Sequence, residues 1–260
     1  MAGPGGRSVT LHDALELAIV LVLVAVAVGV SLGFRLGLES QLAVAVVRAL
    51  VQLAAVAAVI NFVLEHPPFA ALFIVVMAAA AALTSGHRLK GIPSAAGIAL
   101  AAISIATALA LGILFGLGVF DFVPRFLVPI AGMLIGNSMN ATSVAGALLR
   151  DEIESKTLEI ETRLALGVGV REALAVHVRK AVTTSLIPLI DSTKNVGLIL
   201  LPGGFVGMLL GGASPAQAAQ VQAIILFMLL GAVAVAGMVT VVLVARAYVA
   251  TGERIVIPVR

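Results

Sequence analysis

The sequence predicts an all-α, polytopic integral membrane protein with about seven transmembrane helices and a cytoplasmic coupling-helix loop between the fifth and sixth. Three observations lead there. Of 260 residues, 61% are hydrophobic and 11% charged, with a mean hydropathy of +1.19; a soluble domain of this length needs far more charge to cover its surface. Seven apolar runs each approach the roughly 20 residues with which a helix crosses a bilayer core about 30 Å thick. Between the fifth and sixth runs the chain concentrates its charge: Arg150, Asp151, Glu152, Glu154, Lys156, Glu159, Glu161, Arg163, Arg171, Glu172, Arg179 and Lys180.

The elements follow in order. Residues 1–11 are rich in Gly, Pro and Ser and are expected to be disordered. The spans are expected at 12–33, 42–64, 69–86, 94–118, 126–149, 192–212 and 221–246. The first run contains Ala25-Val26-Ala27, which imitates a signal-peptide cleavage site. Asp13 and Glu16 stand where such a peptide carries basic residues, and the run is too long, so it reads as a span. Pro129 is expected to kink the fifth span. Pro202-Gly203-Gly204 is expected to interrupt the sixth, freeing carbonyls to line a cavity. Residues 12–250 thus form one membrane domain, with the loop at about 150–185 and a cytoplasmic tail at 251–260.

Charge asymmetry sets the orientation. With the N-terminus outside, the inner segments collect Arg35, Arg48, Arg88, Lys90, the loop's six basic residues, Arg246, Arg254 and Arg260. The outer segments keep Arg7 and Arg125, and Lys194 lies near the membrane. The loop and the C-terminus are therefore expected in the cytoplasm.

Within the loop, Ile153, Thr157, Ile160 and Leu164 recur at helical spacing, with Glu152, Glu154, Glu159 and Glu161 off that stripe. This predicts an amphipathic helix of about four turns. Gly167 and Gly169 follow, and glycine just past a helix end supplies a positive φ at low cost. Arg171 to Ser185 reads as a second helix, with Leu174, Val178, Ala181 and Ser185 on one face. Such a hairpin either docks a soluble partner or lies solvated against lipid.

Composition excludes several chemistries. There is no cysteine, hence no disulfide and no thiolate metal site or nucleophile. His12, His66, His87 and His177 stand far apart, so no metal site is identified. The basic residues form no stripe with aromatics, which argues against nucleic acid. No GxxxxGK[ST] run occurs, so ATP must be bound by another polypeptide if ATP drives this one. The chain is not expected to be an enzyme or to bind a cofactor.

Polar residues inside the spans mark candidate pathway positions, because hydrocarbon tolerates them only against a cavity or another helix. The fifth span carries Asn137, Ser138, Met139, Asn140, Thr142 and Ser143; Asn137, Asn140 and Ser143 share a face. Asp191, Lys194 and Asn195 form a second cluster, expected at the cytoplasmic edge where the sixth span begins. Arg48 and Gln52 lie one turn apart on the second span. Each cluster fits either a solute pathway or ordinary helix bonding and anchoring, and the residue types leave both open.

Longer patterns then carry a resemblance. Glu161-x5-Gly167 is similar to the coupling element of ABC importer permeases. The patterns Arg48-x3-Gln52-Leu53, Pro129-Ile130-Ala131-Gly132-Met133 with Gly136-Asn137-Ser138-Met139, and Leu164-Ala165-Leu166-Gly167 closely resemble FetB-type permeases. So does Pro188 with Asp191-Ser192-x-Lys194-x2-Gly197-Leu198-x2-Leu201-Pro202-Gly203. The resemblance covers about residues 12–250 and includes the relatives involved in plant aluminium tolerance. It implies a homodimeric ABC transporter permease of the bacterial plasma membrane, exporting iron or another metal. ATP and Mg would be bound by a separate FetA-type ATPase. It further implies that Glu161, Arg163, Gly167, Gly169 and Arg171 couple to that ATPase. The rival reading is a secondary transporter or channel for a small polar solute, without an ATPase.

Overall fold

The computed structural model describes residues 11–250 and 254–255, with side chains from Ile19 to Tyr248. The expectations for 1–10 and for most of the 251–260 tail lie outside these residues. The chain is all-helical apart from a two-residue antiparallel pairing of β1 (Val249–Ala250) with β2 (Arg254–Ile255). It divides into two units, Met1–Phe62 and Val63–Arg260.

The first unit holds α1 (Leu11–Gly33) and most of α2 (Glu39–Glu65). The turn between them places Arg35 and Gly37 at positive φ. Ser31 Oγ donates to Glu39 Oε1 at 2.7 Å and accepts from the Leu38 amide at 3.0 Å. That buried hydroxyl satisfies the turn's polar groups where two apolar helices meet.

The second unit begins with α3 (Pro67–Arg88), α4 (Ala95–Gly116) and α5 (Pro124–Ser155). It continues with α6 (Thr157–Ala165), α7 (Val170–Lys194), α8 (Gly203–Leu210) and α9 (Pro215–Ala247). Proline starts α3, α5 and α9, where a missing N–H costs nothing. Ser214 and Gln217 add a reciprocal capping box to α9, satisfying two otherwise unpaired amides.

Core contacts fix the helix directions. Ile98 at the start of α4 packs with Leu149 late in α5 and Val244 late in α9. Leu114 at the end of α4 packs with Ile130 early in α5 and Leu229 in α9. Thus α4 runs against α5 and α9. Helix α7 also opposes α9, since Ala181 joins the first of these groups and Leu189 the second. Helix α5 is central, packing against α3, α4, α7 and α9.

Among the described residues, five helices are both long enough and apolar enough to cross a membrane: α2, α3, α4, α7 and α9. In α1 (Leu11–Gly33) the residues with described side chains, Ile19–Gly33, are also mainly apolar. Helix α5 has 32 residues but stands outside that group because of its Asn, Ser and Thr residues. Its polarity is accommodated because its surroundings are largely other helices rather than lipid.

One expected span is corrected. Residues 192–212 do not form a helix across the membrane. The apolar sixth helix is α7, which begins at Val170 and continues through Pro188 to Lys194. After it, Gly197 takes a positive φ, and the chain turns through 195–202 before the eight-residue α8. Pro202 caps α8 instead of breaking a span. The hairpin's second helix, expected over Arg171 to Ser185, instead continues past Pro188 to Lys194. In the fold its inward face, including Leu174, His177, Ala181 and Ser185, is buried, and that burial sustains the helix through Pro188.

Candidate functional site: the polar hairpin at one end of the bundle

The charged segment forms the end of α5, all of α6 and the start of α7. The predicted stripe faces inward. Ile153 and Ile160 are fully buried and join Leu89, Leu149, Leu174, Val241, Val244 and Tyr248 in one apolar cluster, with Leu164 packed against it. The second helix obeys its expected face as well: Leu174, Ala181 and Ser185 are buried and Val178 half-buried.

The predicted four-turn helix is divided. Lys156, at φ −112° and ψ 19°, ends α5 and opens α6. Gly167 takes the expected positive φ of 86°, and its amide donates to the Leu164 carbonyl at 2.9 Å. Gly169 differs from the expectation. At φ −65° and ψ 150° it is extended and caps α7, its carbonyl accepting from the Glu172 and Ala173 amides.

Ion pairs bind the hairpin to the bundle. Glu152 lies between two α7 residues, with His177 Nδ1 2.9 Å from Oε2 and Lys180 Nζ donating to Oε1. Glu152 falls three residues beyond the expected fifth span. Lys180, then His177, hold its carboxyl below the usual glutamate range against the opposing effect of burial. The buried Tyr248 hydroxyl donates to Glu154 Oε1 at 3.3 Å. Burial first, then the neighbouring Glu154 charge, pushes the phenol up to about 12. Arg150 donates to the Lys90 carbonyl at 2.8 Å and pairs with Asp151, joining α5 to the α3–α4 turn.

A consequence for stability follows. Glu152→Gln keeps the shape but removes a charged acceptor, and is expected to cost about 1–2 kcal/mol. A carboxyl held low by its partners stabilises the fold above its unfolded value, about 4.3, and loses that contribution as pH falls through the native value. The wild type should therefore lose part of its stability below about pH 4.3, while Glu152→Gln should lack that component. Circular-dichroism melts between pH 3 and 7 measure both.

The outer face of α6 is apolar at two points. Leu158 and Leu166 are each 79% exposed. Glu161 and Thr162 are exposed between them, as is Arg171 at the start of α7. Arg163 pairs with Glu159 along the helix at 2.9 Å. The sequence reading identified Glu161, Arg163, Gly167, Gly169 and Arg171, and it missed the two leucines. Their signal was present: both fall off the inward stripe of an amphipathic helix.

The expected pathway residues do not form one cluster. In the first unit, Arg48 and Gln52 are exposed on α2. On α5, Asn137 donates to the Met133 carbonyl at 2.9 Å, and exposed Asn140 accepts from Arg88 at 3.5 Å. Met139 packs beside Ile103 and Ile135. Ser143 Oγ lies 3.0 Å from Ser85 Oγ on α3, and Thr142 Oγ1 lies 3.1 Å from Thr240 Oγ1 on α9. These two pairs join helices. Ser138 is fully buried with an unpartnered hydroxyl, as is the hydroxyl of the buried Thr107 on α4.

The third cluster was expected at the hairpin's edge of the membrane and is corrected. Asp191, Lys194 and Asn195 sit at the other end of α7, some 37 Å from its start by helical rise. Asp191 and Lys194 are exposed and 3.9 Å apart. Because α7 is itself the sixth long helix, its C-terminus must emerge opposite the hairpin. Among the described residues, no three His, Asp or Glu side chains gather as a metal site.

A profile described as "Uncharacterised protein family (UPF0014)" matches residues 14–249, nearly the whole chain. The chain belongs to the UPF0014 family. Among the relatives of this UPF0014 membrane protein is the Oryza sativa subsp. japonica "UPF0014 membrane protein STAR2". It is 38% identical over 75% of this chain and 69% of its own. "Protein ALUMINUM SENSITIVE 3" of Arabidopsis thaliana is 39% identical over 76% of this chain and 73% of its own. "Probable iron export permease protein FetB" of Escherichia coli (strain K12) is 30% identical over 85% of this chain and 86% of its own. No solved structure matches the chain.

Proposed function

We propose that this UPF0014 protein is the permease subunit of an ABC transporter. In this reading it works as a homodimer in a bacterial plasma membrane. It exports iron or another metal with ATP hydrolysed by a separate FetA-type ATPase docked on α6. The observation that carries the reading is the outward face of α6. A short helix is held to the bundle by Ile160 and Leu164, beside Ile153 of α5, and presents Leu158 outward, with Glu161 one turn on and Leu166 just past its end. Exposed apolar groups of this kind, rimmed by charge, mark protein contact sites. Since α6 is rigidly tied to α5 and α7, displacing it would tilt both helices and alter the bundle.

The E. coli relative's name supplies the cargo and the direction of transport. The charge distribution supports a cytoplasmic hairpin. Arg88, Lys90, Arg150, Lys156, Arg163, Arg171, Arg179, Lys180 and Arg246 lie at or near the hairpin end of the second unit, whereas Arg125 and Lys194 lie at the other. Asn137, Ser138, Met139 and Asn140 on α5 remain pathway candidates, and so, separately within the first unit, do Arg48 and Gln52 on α2. They offer amides, hydroxyls and a thioether in place of the imidazoles and carboxylates that iron favours. The metal therefore crosses through weak, transient contacts.

The test is reconstitution in vesicles with and without the ATPase. Leu158→Asp should leave insertion intact, abolish co-purification with the ATPase and reduce metal-stimulated hydrolysis at least tenfold, equivalent to about 1.4 kcal/mol of docking free energy. Transport by the permease alone would instead establish a secondary transporter or channel.

A further inference from the structure

We propose that the end of the bundle opposite the hairpin holds a binding site for an uncharged, largely apolar molecule carrying one hydrogen-bonding group, with Gln222 as its polar anchor. The end of α7, the loop 195–202, α8 and the first turns of α9 border a half-open cavity of about 410 Å³. That volume falls within the usual range of small-molecule sites, about 300–1,000 Å³. Leu201, Pro202, Phe205 and Leu226 are among its apolar lining residues.

Gln222 lines this cavity and is only 8% exposed. Its amide bonds to no described residue, whereas Gln217, one and a half turns earlier, is used in the α9 cap. Among the described residues the closed-off side-chain atoms without a partner are the Thr107 and Ser138 hydroxyls, so the Gln222 amide stays accessible and can bond a molecule in the cavity it lines. Its Oε1 lies against the first turn of α8, where a Cβ on Gly204 would come within 3.0 Å of it. The amides of Gly203, Gly204 and Phe205 have no backbone acceptor, since the first amide bonded at that end is that of Val206, to the Pro202 carbonyl. The polar end of the site therefore offers one side-chain amide beside free backbone N–H groups.

The lining decides the ligand class. It contains no ionisable side chain, and the Thr193 hydroxyl is turned to the Leu189 carbonyl at 2.7 Å. A bare metal ion finds no carboxylate or imidazole there, and a charged organic group finds no counter-charge. A carbonyl or hydroxyl on an apolar body satisfies both the amide and the walls. Phe227 also borders a second cavity, of about 420 Å³, between α4 and α9, with Ile113, Met228 and Ala232 in its apolar lining. A hydrocarbon tail passing Phe227 would enter that space, so the occupant is a lipid-like amphiphile, drawn from the bilayer or from solution.

The full chain, exchanged into amphipol, would be titrated with N-phenyl-1-naphthylamine, a soluble uncharged fluorophore. In parallel, protein in nanodiscs would be labelled with diazirine-bearing monoolein. Saturable fluorophore binding is expected, weakened about 3- to 10-fold in Gln222→Leu, the value of one neutral hydrogen bond. It should be lost in Ala223→Phe, which fills the cavity and keeps Gln222. Monoolein that labels residues 195–210 and displaces the fluorophore identifies a bilayer source. Fluorophore binding without such labelling identifies a dissolved one; both support the site. Binding that is equal in wild type, Gln222→Leu and Ala223→Phe overturns it, as does tighter binding by Gln222→Leu. Size-exclusion profiles report folding, and if Gln222→Leu fails to fold, Ala223→Phe decides.

Discussion

Gly167→Pro is expected to disconnect the permease from the proposed ATPase while leaving it inserted in the membrane. Gly167 stands at φ +86° in the α6–α7 turn and donates its amide to the Leu164 carbonyl. Proline fixes φ near −65° and has no N–H. The turn must therefore be rebuilt, and α6 loses the angle at which it presents Leu158, Glu161 and Leu166. The core residues Ile153 and Ile160 precede the turn, so the bundle itself should survive. The expected readout is monodisperse protein in detergent with metal-stimulated ATP hydrolysis at least tenfold down, about 1.4 kcal/mol in coupling. Gly167→Ala keeps the amide and meets only the positive-φ penalty, about 1–2 kcal/mol, so it should retain partial coupling. Wild-type hydrolysis by the proline variant in reconstituted vesicles would remove α6 from the docking role.

The second large effect is expected at Gly86, where α3 packs tightly against Ala96 of α4. A Cβ added there would meet Ala96 Cα at 2.8 Å and Ala96 N at 2.9 Å. Backbone atoms cannot move aside as a flexible side chain can, so the helices must separate. Gly86→Ala should therefore cost about 3 kcal/mol, the upper range for overpacking. It should also loosen the neighbouring Ser85–Ser143 contact, 3.0 Å in the native fold. Gly136→Ala is the control. It lies inside α5 with nothing within 4 Å of the added Cβ, so helix propensity should make it neutral or stabilising by up to about 1 kcal/mol. Equal melting temperatures for the two variants would show that the α3–α4 contact is not close-packed.

Much of the hairpin was legible because helical periodicity is a local property. Ile153, Thr157, Ile160 and Leu164 recur at the spacing that puts them on one face, and that face is the buried one. Glu152 shows the limit of such reading. It was recognised only as a residue off the stripe, yet it accepts from His177 and Lys180, 25 and 28 positions away. Nothing in its neighbourhood along the chain marks that pairing. Gln222 is similar: a single amide in an apolar run signals a polar role, but only the approach of α8 and loop 195–202 turns it into the anchor of a cavity.

The sequence by itself determined that this is an all-helical membrane protein, where its first five long helices fall, and which faces of the charged segment are apolar. Those properties follow from composition and from a 3.6-residue period, both of which act over a few turns. Only the tertiary structure decided that the sixth long helix is α7 and that 192–212 forms no such helix, which moved Asp191 and Lys194 to the opposite end. It also decided that polar α5 occupies the centre. Hydropathy assigns each residue to lipid or water, but inside a bundle the solvent of a helix is other helices, and that environment exists only once they have packed.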